Sequence, residues 1–329
     1  MGPKQGGKCS GDWRLYLAFA ALAVLAGPVA GYSGDAMLGA AQFQVFAGLA
    51  LAELVAGGML MGCSVAMRER LPGARRWGAA QWGVLLLLLV PQWCAVPFSS
   101  GAGPIPWMHG LGSGTALLLS LAAPLWLGLV AASDVLQVEV PRTVVAAAIV
   151  GMGAVCLVIP ATSYAVAWNQ IPALLLHLLL GIAMVVSWVI ARPRLEGCSA
   201  EWSAGGYLLL SGVGDLFFAW MYERSSWQPL DGHALAVPLL RDAATFAAMW
   251  WLWFWLLQRM TLAAFSMRAL AAWTASVALG VFFIGFREWR LDAALAIAGG
   301  ALVIALRAQL AEEQPLALGL GKLTLGRKA

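Results

Sequence analysis

The chain has 329 residues, 61% of them hydrophobic and only 11% charged, with a formal net charge of +4. A soluble domain of this size carries roughly 25% charged residues. The deficit here runs the whole length, which excludes a hidden soluble domain. Five cysteines (Cys9, Cys63, Cys94, Cys156, Cys198) form no close pair, and His109, His177 and His233 have no metal-ligand spacing. No zinc site, disulfide framework or other cofactor is therefore expected.

In chain order, a polar, basic tail (residues 1–14) precedes ten apolar spans, at about 15–31, 42–67, 77–97, 113–133, 143–160, 171–191, 204–222, 236–257, 262–286 and 293–310. About 20 apolar residues cross a hydrocarbon core of roughly 30 Å as a helix. The first span lacks a small-residue cleavage site, so it reads as a membrane helix and not as a removed signal. Residues 311–329 form a C-terminal tail. The expected fold class is all-α integral membrane.

One pattern occurs twice. Leu118–Val158 is an apolar run, a short polar break with Asp134, Glu139 and Arg142, and a second run rich in small residues. Met267–Arg307 repeats the plan around Glu288. The repetition divides the chain into two five-helix units, 15–160 and 161–310. An odd number of spans per unit inserts the second upside down, and inverted repeats are a common build for secondary transporters.

Basic residues orient the chain. With the N-terminus inside, 16 of the 20 lysines and arginines fall on the cytoplasmic side, while Arg224, Arg287 and Arg290 lie opposite and Arg241 lies within a span. This positive-inside asymmetry places both termini in the cytoplasm of a cell-membrane protein. It also accounts for the net charge without nucleic acid; the expected partners are the lipid bilayer and a small molecule. Monomer and homodimer both remain open.

Ionisable groups inside spans are few. Glu53 lies in FAGLALAELVAGGML and Asp215 in LLLSGVGDLFFAW, each 11 residues into equivalent spans of the two units. Burying an unpaired carboxylate there costs on the order of 3 kcal/mol. The functional reading is a proton- or cation-coupling pair, or a site for a cationic substrate group. The structural alternative is a hydrogen bond to a neighbouring helix or to Arg241. Arg241, beside Asp242, reads equally as a partner of Asp215, as a substrate ligand or as a snorkelling cation. His177 reads first as a structural histidine, and Arg268, near the inner end of the ninth span, as a snorkelling cation. Trp250, Trp251, Trp253 and Trp255 suit an interfacial belt. They wrap around the helix, so at least one points inward, and Trp251 joins the candidate substrate-binding residues.

Gly27–Gly31 and Gly58–Gly62 have the spacing of close helix contacts. Pro28, Pro91, Pro124 and Pro238 fall in or beside spans, as kinks or as breaks lining a cavity. No phosphate loop, zinc-protease motif or nucleophile elbow occurs, so enzyme chemistry has no motif support.

LLLSLAAPLWLGLVAA (Leu117–Ala132), with Pro124, followed by Glu139 and the glycines Gly151 and Gly153, resembles the drug/metabolite transporter superfamily, in particular its ten-helix EamA-type members. Glu288 and Gly299–Gly300 hold the comparable place in the second half. Val138 and Arg287 stand where that family has a glycine before the acid, which marks a divergent member. The resemblance implies a basket of two inverted repeats, with spans 1–4 and 6–9 around a central cavity. It implies transport of a small metabolite or drug-like molecule, often outward, without ATP. A membrane-embedded transferase acting on a lipid-linked substrate is the alternative, with Glu223, Asp231 and His233 as its only polar cluster. A non-transporting receptor or scaffold is a third class. The loops 97–112 and 223–235 are the two long external segments; each reads first as a disordered or loosely packed external loop and second as a lid.

Overall fold

The computed structural model describes residues 13–25, 45–68, 78–99, 186–195, 198–225 and 232–260, with 179, 183, 265, 300 and 303 as isolated positions. Nearly all of them are helical, and none of the described residues lies in a strand. The helices are α1 (Trp13–Val24), α2 (Val45–Arg68), α3 (Ala79–Ser99), α4 (Ala200–Phe218), which continues into a π turn (Ala219–Glu223), and α5 (Gly232–Arg259). They answer to the first, second, third, seventh and eighth expected spans. Residues 186–195 are helical and carry the end of the sixth. Apart from positions 265, 300 and 303, spans 4, 5, 9 and 10, and with them both copies of the charged break, lie outside the described residues. Two segments, Phe46–Ala66 and Ala200–Glu223, are long and apolar enough to cross a membrane.

Some helix ends are closed locally and others by distant residues. The Ser199 hydroxyl accepts from the Trp202 backbone N–H at 3.2 Å and starts α4, with Glu201 in the first turn beside the positive end of the helix dipole. At the far end of α5, Arg192 donates to the Met260 carbonyl, a cation on a helix C-terminus. Pro91 and Pro238 both sit inside helices that continue through them.

The most extensive packing is between α2 and α4, which run antiparallel. Small residues set their approach. A Cβ on Gly57 would lie 2.8 Å from Leu209 Cγ and 2.9 Å from the Gly205 carbonyl. A Cβ on Gly212 would lie 2.9 Å from Leu54 Cγ and 3.0 Å from the Ala50 carbonyl. These two contacts are images of one another. Gly57 corresponds to Gly212, Ala50 to Gly205 and Leu54 to Leu209, the counterpart lying 155 residues later each time. The crossing therefore has a local two-fold axis. In lipid, where apolar burial drives little, backbone contact of this kind is what holds helices together.

The glycines that make it are not those whose spacing suggested it. At Gly58 and Gly62 a Cβ would meet nothing within 4 Å among the described residues. Adjacent helical positions point 100° apart, so Gly57 lies in the contact and Gly58 outside it.

α5 packs on both α2 and α4 and brings an aromatic wall. Trp250 rests on Tyr207 with ring centroids 4.2 Å apart, and Trp253 and Phe254 are buried against Trp188. α1 completes that side through Leu15, Phe19 and Leu22.

Candidate functional site: a carboxyl pair between α2 and α4

α4 carries a polar stripe in an otherwise apolar sequence: Ser203, Tyr207, Ser211 and Asp215, one helical turn apart and all buried. Ser203 turns back to the Ser199 carbonyl and meets Gln258 of α5 at 3.5 Å. The other end of the stripe meets Glu53. The Glu53 carboxyl lies in hydrogen-bonding reach of the Asp215 carboxyl and the Ser211 hydroxyl. Glu53 is 8% exposed and Asp215 9%. The second Glu53 oxygen, Oε2, is buried and has no hydrogen-bond partner among the described residues. Tyr207 lies within electrostatic range of both acids. The arrangement is suited to holding a proton or to exchanging it for another cation.

Beyond the pair, the Glu223 carboxylate accepts from the backbone N–H groups of Phe46 at 2.8 Å and Ala47 at 3.0 Å. It thereby caps the first turn of α2 from another helix. Glu223 also acts electrostatically on Asp215. Phe46, Phe218 and Tyr222 gather at the same end, with centroids 5.7 to 6.2 Å apart. On the α3 side, the Trp93 indole lies against Gly214, where a Cβ would fall 2.4 Å from the ring. The residue beside Asp215 must be glycine for that ring to approach.

The expected acids thus meet, but by a different route. Equal depth in repeat-related spans suggested that Glu53 and Asp215 are mates across a pseudo-two-fold axis. Under the two-fold of the crossing itself, Glu53 corresponds to Leu208 and Asp215 to Leu60. The acids come together because the antiparallel register sets residue 53 beside residues 211 and 215. Arg241 is half-buried on α5, its carbonyl accepting from the Thr245 hydroxyl, and Asp242 beside it is buried. Trp251 is engaged at the opposite end of α4: its indole N–H donates to Glu201 at 2.8 Å, and its ring stacks on Trp255. Trp253 is the buried member of that cluster, and Trp250, Trp251 and Trp255 are half-buried against the same core. His177 lies outside the described residues.

Of the cluster considered for a transferase, Glu223 is engaged as the α2 cap, His233 is exposed near the start of α5, and Asp231 lies outside the described residues. Among the described residues no group of three or more His, Cys, Asp or Glu side chains could hold a metal ion. Sequence reasoning passed over Ser211, and it named Glu223 only for the transferase alternative, not as a partner of α2. The four-residue repeat from Ser203 to Asp215 was the available signal for Ser211; nothing local marks Glu223 as a helix cap.

No protein-family model matches the chain. No curated protein matches it either. Among solved structures, one described only as "Crystal structure of protein" is similar with a TM-score of 0.61. That likeness is 18% identical and covers 88% of this chain and 95% of the other. It shows a shared fold and says nothing of activity.

Proposed function

We propose that this protein is a secondary transporter of the drug/metabolite type, a divergent EamA-like member with ten membrane spans in two inverted repeats. It moves a small metabolite or drug-like molecule by alternating access, in the outward direction, with both termini in the cytoplasm. The Glu53–Asp215 pair is the coupling centre, exchanging a proton for the substrate or for its companion ion.

The observation that carries this reading is the buried carboxyl pair itself. Two membrane-length helices each place an acid on the same seam, at the same depth, with one carboxyl oxygen left unpartnered among the described residues. Ionisable groups within membrane spans mark ion and substrate pathways by default. The two-fold crossing of α2 and α4 supports the inverted-repeat architecture, and the positive-inside asymmetry supports the topology.

A ligand-induced thermal-stability screen on the detergent-purified protein tests it, using amino acids, nucleobases, sugars and amines beside the Glu53→Gln variant. A ligand that binds the native state raises its apparent stability by mass action. The expected result is a stabilising compound whose effect disappears in Glu53→Gln. Flux of that compound into proteoliposomes, unchanged by Glu53→Gln and by an imposed pH gradient, would remove the pair from the mechanism.

A further inference from the structure

On the transporter reading, the pair needs a closure on each side, and one side is built in a way that lets it open. We propose that the π turn Ala219–Glu223 and the first turn of α2 form a gate over the Glu53–Asp215 pair, latched by Glu223 and plugged by Phe46, Phe218 and Tyr222.

Three independent features point to it. The first is where the cap comes from. The first N–H groups of a helix have no partner within it. α4 answers with its own Ser199. The residues before Val45 are Ala41, Gln42, Phe43 and Gln44, none of them a good N-cap. The Phe46 and Ala47 N–H groups are bonded instead to Glu223, 177 and 176 residues away. Bonds from a carboxylate to backbone N–H are charge-assisted and short. Parting α2 from α4 at this end breaks both together, so the contact has two states, made or broken.

The second feature is the π turn. In a continuous α-helix, Glu223 would stand roughly 80° around from Asp215. A π turn takes one more residue per turn, so five residues wind about one residue's rotation less. That brings Glu223 back to the side of α4 that faces α2. π turns inside helices occur disproportionately at functional sites, and this one begins four residues after Asp215.

The third is position. Phe46 is seven residues before Glu53, about 10 Å along the helix. The stacked rings of Phe218 and Tyr222, 6.2 Å apart, and that of Phe46 fill the seam there. Glu223 acts electrostatically on Asp215. A cation arriving at or leaving the pair therefore changes the repulsion that the latch experiences. Site occupancy and closure are linked through two carboxylates on one helix.

The test uses Ser211→Cys as a reporter beside the pair, in a variant whose five native cysteines are replaced by alanine. The protein is reconstituted in vesicles. A membrane-impermeant maleimide is applied on the side bearing Glu223, and the labelling rate is followed. Glu223→Ala is expected to raise the rate by roughly fivefold, the population change that follows loss of a helix cap. Tyr222→Ala, which opens the plug and leaves the latch, is expected to raise it as well, and it keeps the test decisive if Glu223→Ala fails to fold. Rates within twofold of the parent in the folded variants overturn the gate. That failure is distinct from failure of the transporter reading, which would show as absent substrate flux while the Glu223 effect on labelling persists.

Discussion

The two halves of the α2–α4 seam share a backbone and differ in chemistry. About the local two-fold, Gly57 and Gly212 play the same part, as do Leu54 and Leu209. On the Glu223 side of the crossing stand Glu53, Ser211 and Asp215. Their counterparts on the other side are Leu208, Ala56 and Leu60, and these pack together as an apolar cluster with Ala243 and Ala247 of α5. The caps differ in the same sense. α4 is capped by its own Ser199, while α2 depends on Glu223. A symmetrical scaffold thus carries the carboxyl pair on one half and an apolar cluster on the other, where a Ser64–Ser199 hydroxyl contact at 3.3 Å also joins the two helices. The lesson is that the glycines make the crossing and leave the chemistry free to differ on its two sides.

The largest expected effect comes from erasing the difference. The double variant Glu53→Leu/Asp215→Leu copies the Leu208–Leu60 contact onto the polar half. Replacing a buried charged or polar pair by packed apolar residues is often stabilising, by about 1–4 kcal/mol. The double variant should melt at or above the parent temperature in detergent while losing all ligand-induced stabilisation. A variant that melts lower would show that the acids hold the helices together.

Next comes the symmetry itself. Gly57→Val and Gly212→Val each force a side chain into the same backbone contact, and overpacking of this kind costs about 1–3 kcal/mol. The two melting temperatures should fall by similar amounts. Gly58→Ala and Gly62→Ala, one position round the helix, should leave the melting temperature unchanged or slightly raised. Unequal losses at Gly57 and Gly212 would deny the two-fold.

The caps provide a smaller contrast. Ser199→Ala and Glu223→Gln should each destabilise by about 1 kcal/mol. Only Glu223→Gln should also speed hydrogen exchange at Phe46 and Ala47. The smallest effect is expected from Trp251→Phe, which removes the bond to Glu201 and should cost no more than about 1 kcal/mol. It should leave ligand stabilisation intact; loss of the ligand response would return Trp251 to the binding site.

Much of this was legible from the chain alone. Hydropathy over about 20 residues is a local property, so α2, α3, α4 and α5 fall within a few residues of the expected spans. Glu53 and Asp215 stood out for the same reason, as acids inside apolar runs. The contacts were not legible. Whether Gly57 or Gly58 meets α4 is a matter of 100° about a helix axis, and the G-x-x-x-G spacing pointed to Gly58 where the contact with α4 is made by Gly57. Four tryptophans within six residues cannot be ranked by composition; the fold buries Trp253, rests Trp250 on Tyr207 and bonds Trp251 to Glu201.

The sequence by itself determined that membrane-length helices would form and which of them would carry acids, because backbone hydrogen bonding within a span and the expense of a buried charge depend on local residues only. The tertiary structure alone decided that Glu53 meets Asp215 and Ser211, and that Glu223 caps a helix 176 residues away. Those pairings depend on the antiparallel register of two helices and on one π turn. Both are set by close packing between distant segments, which no local pattern encodes.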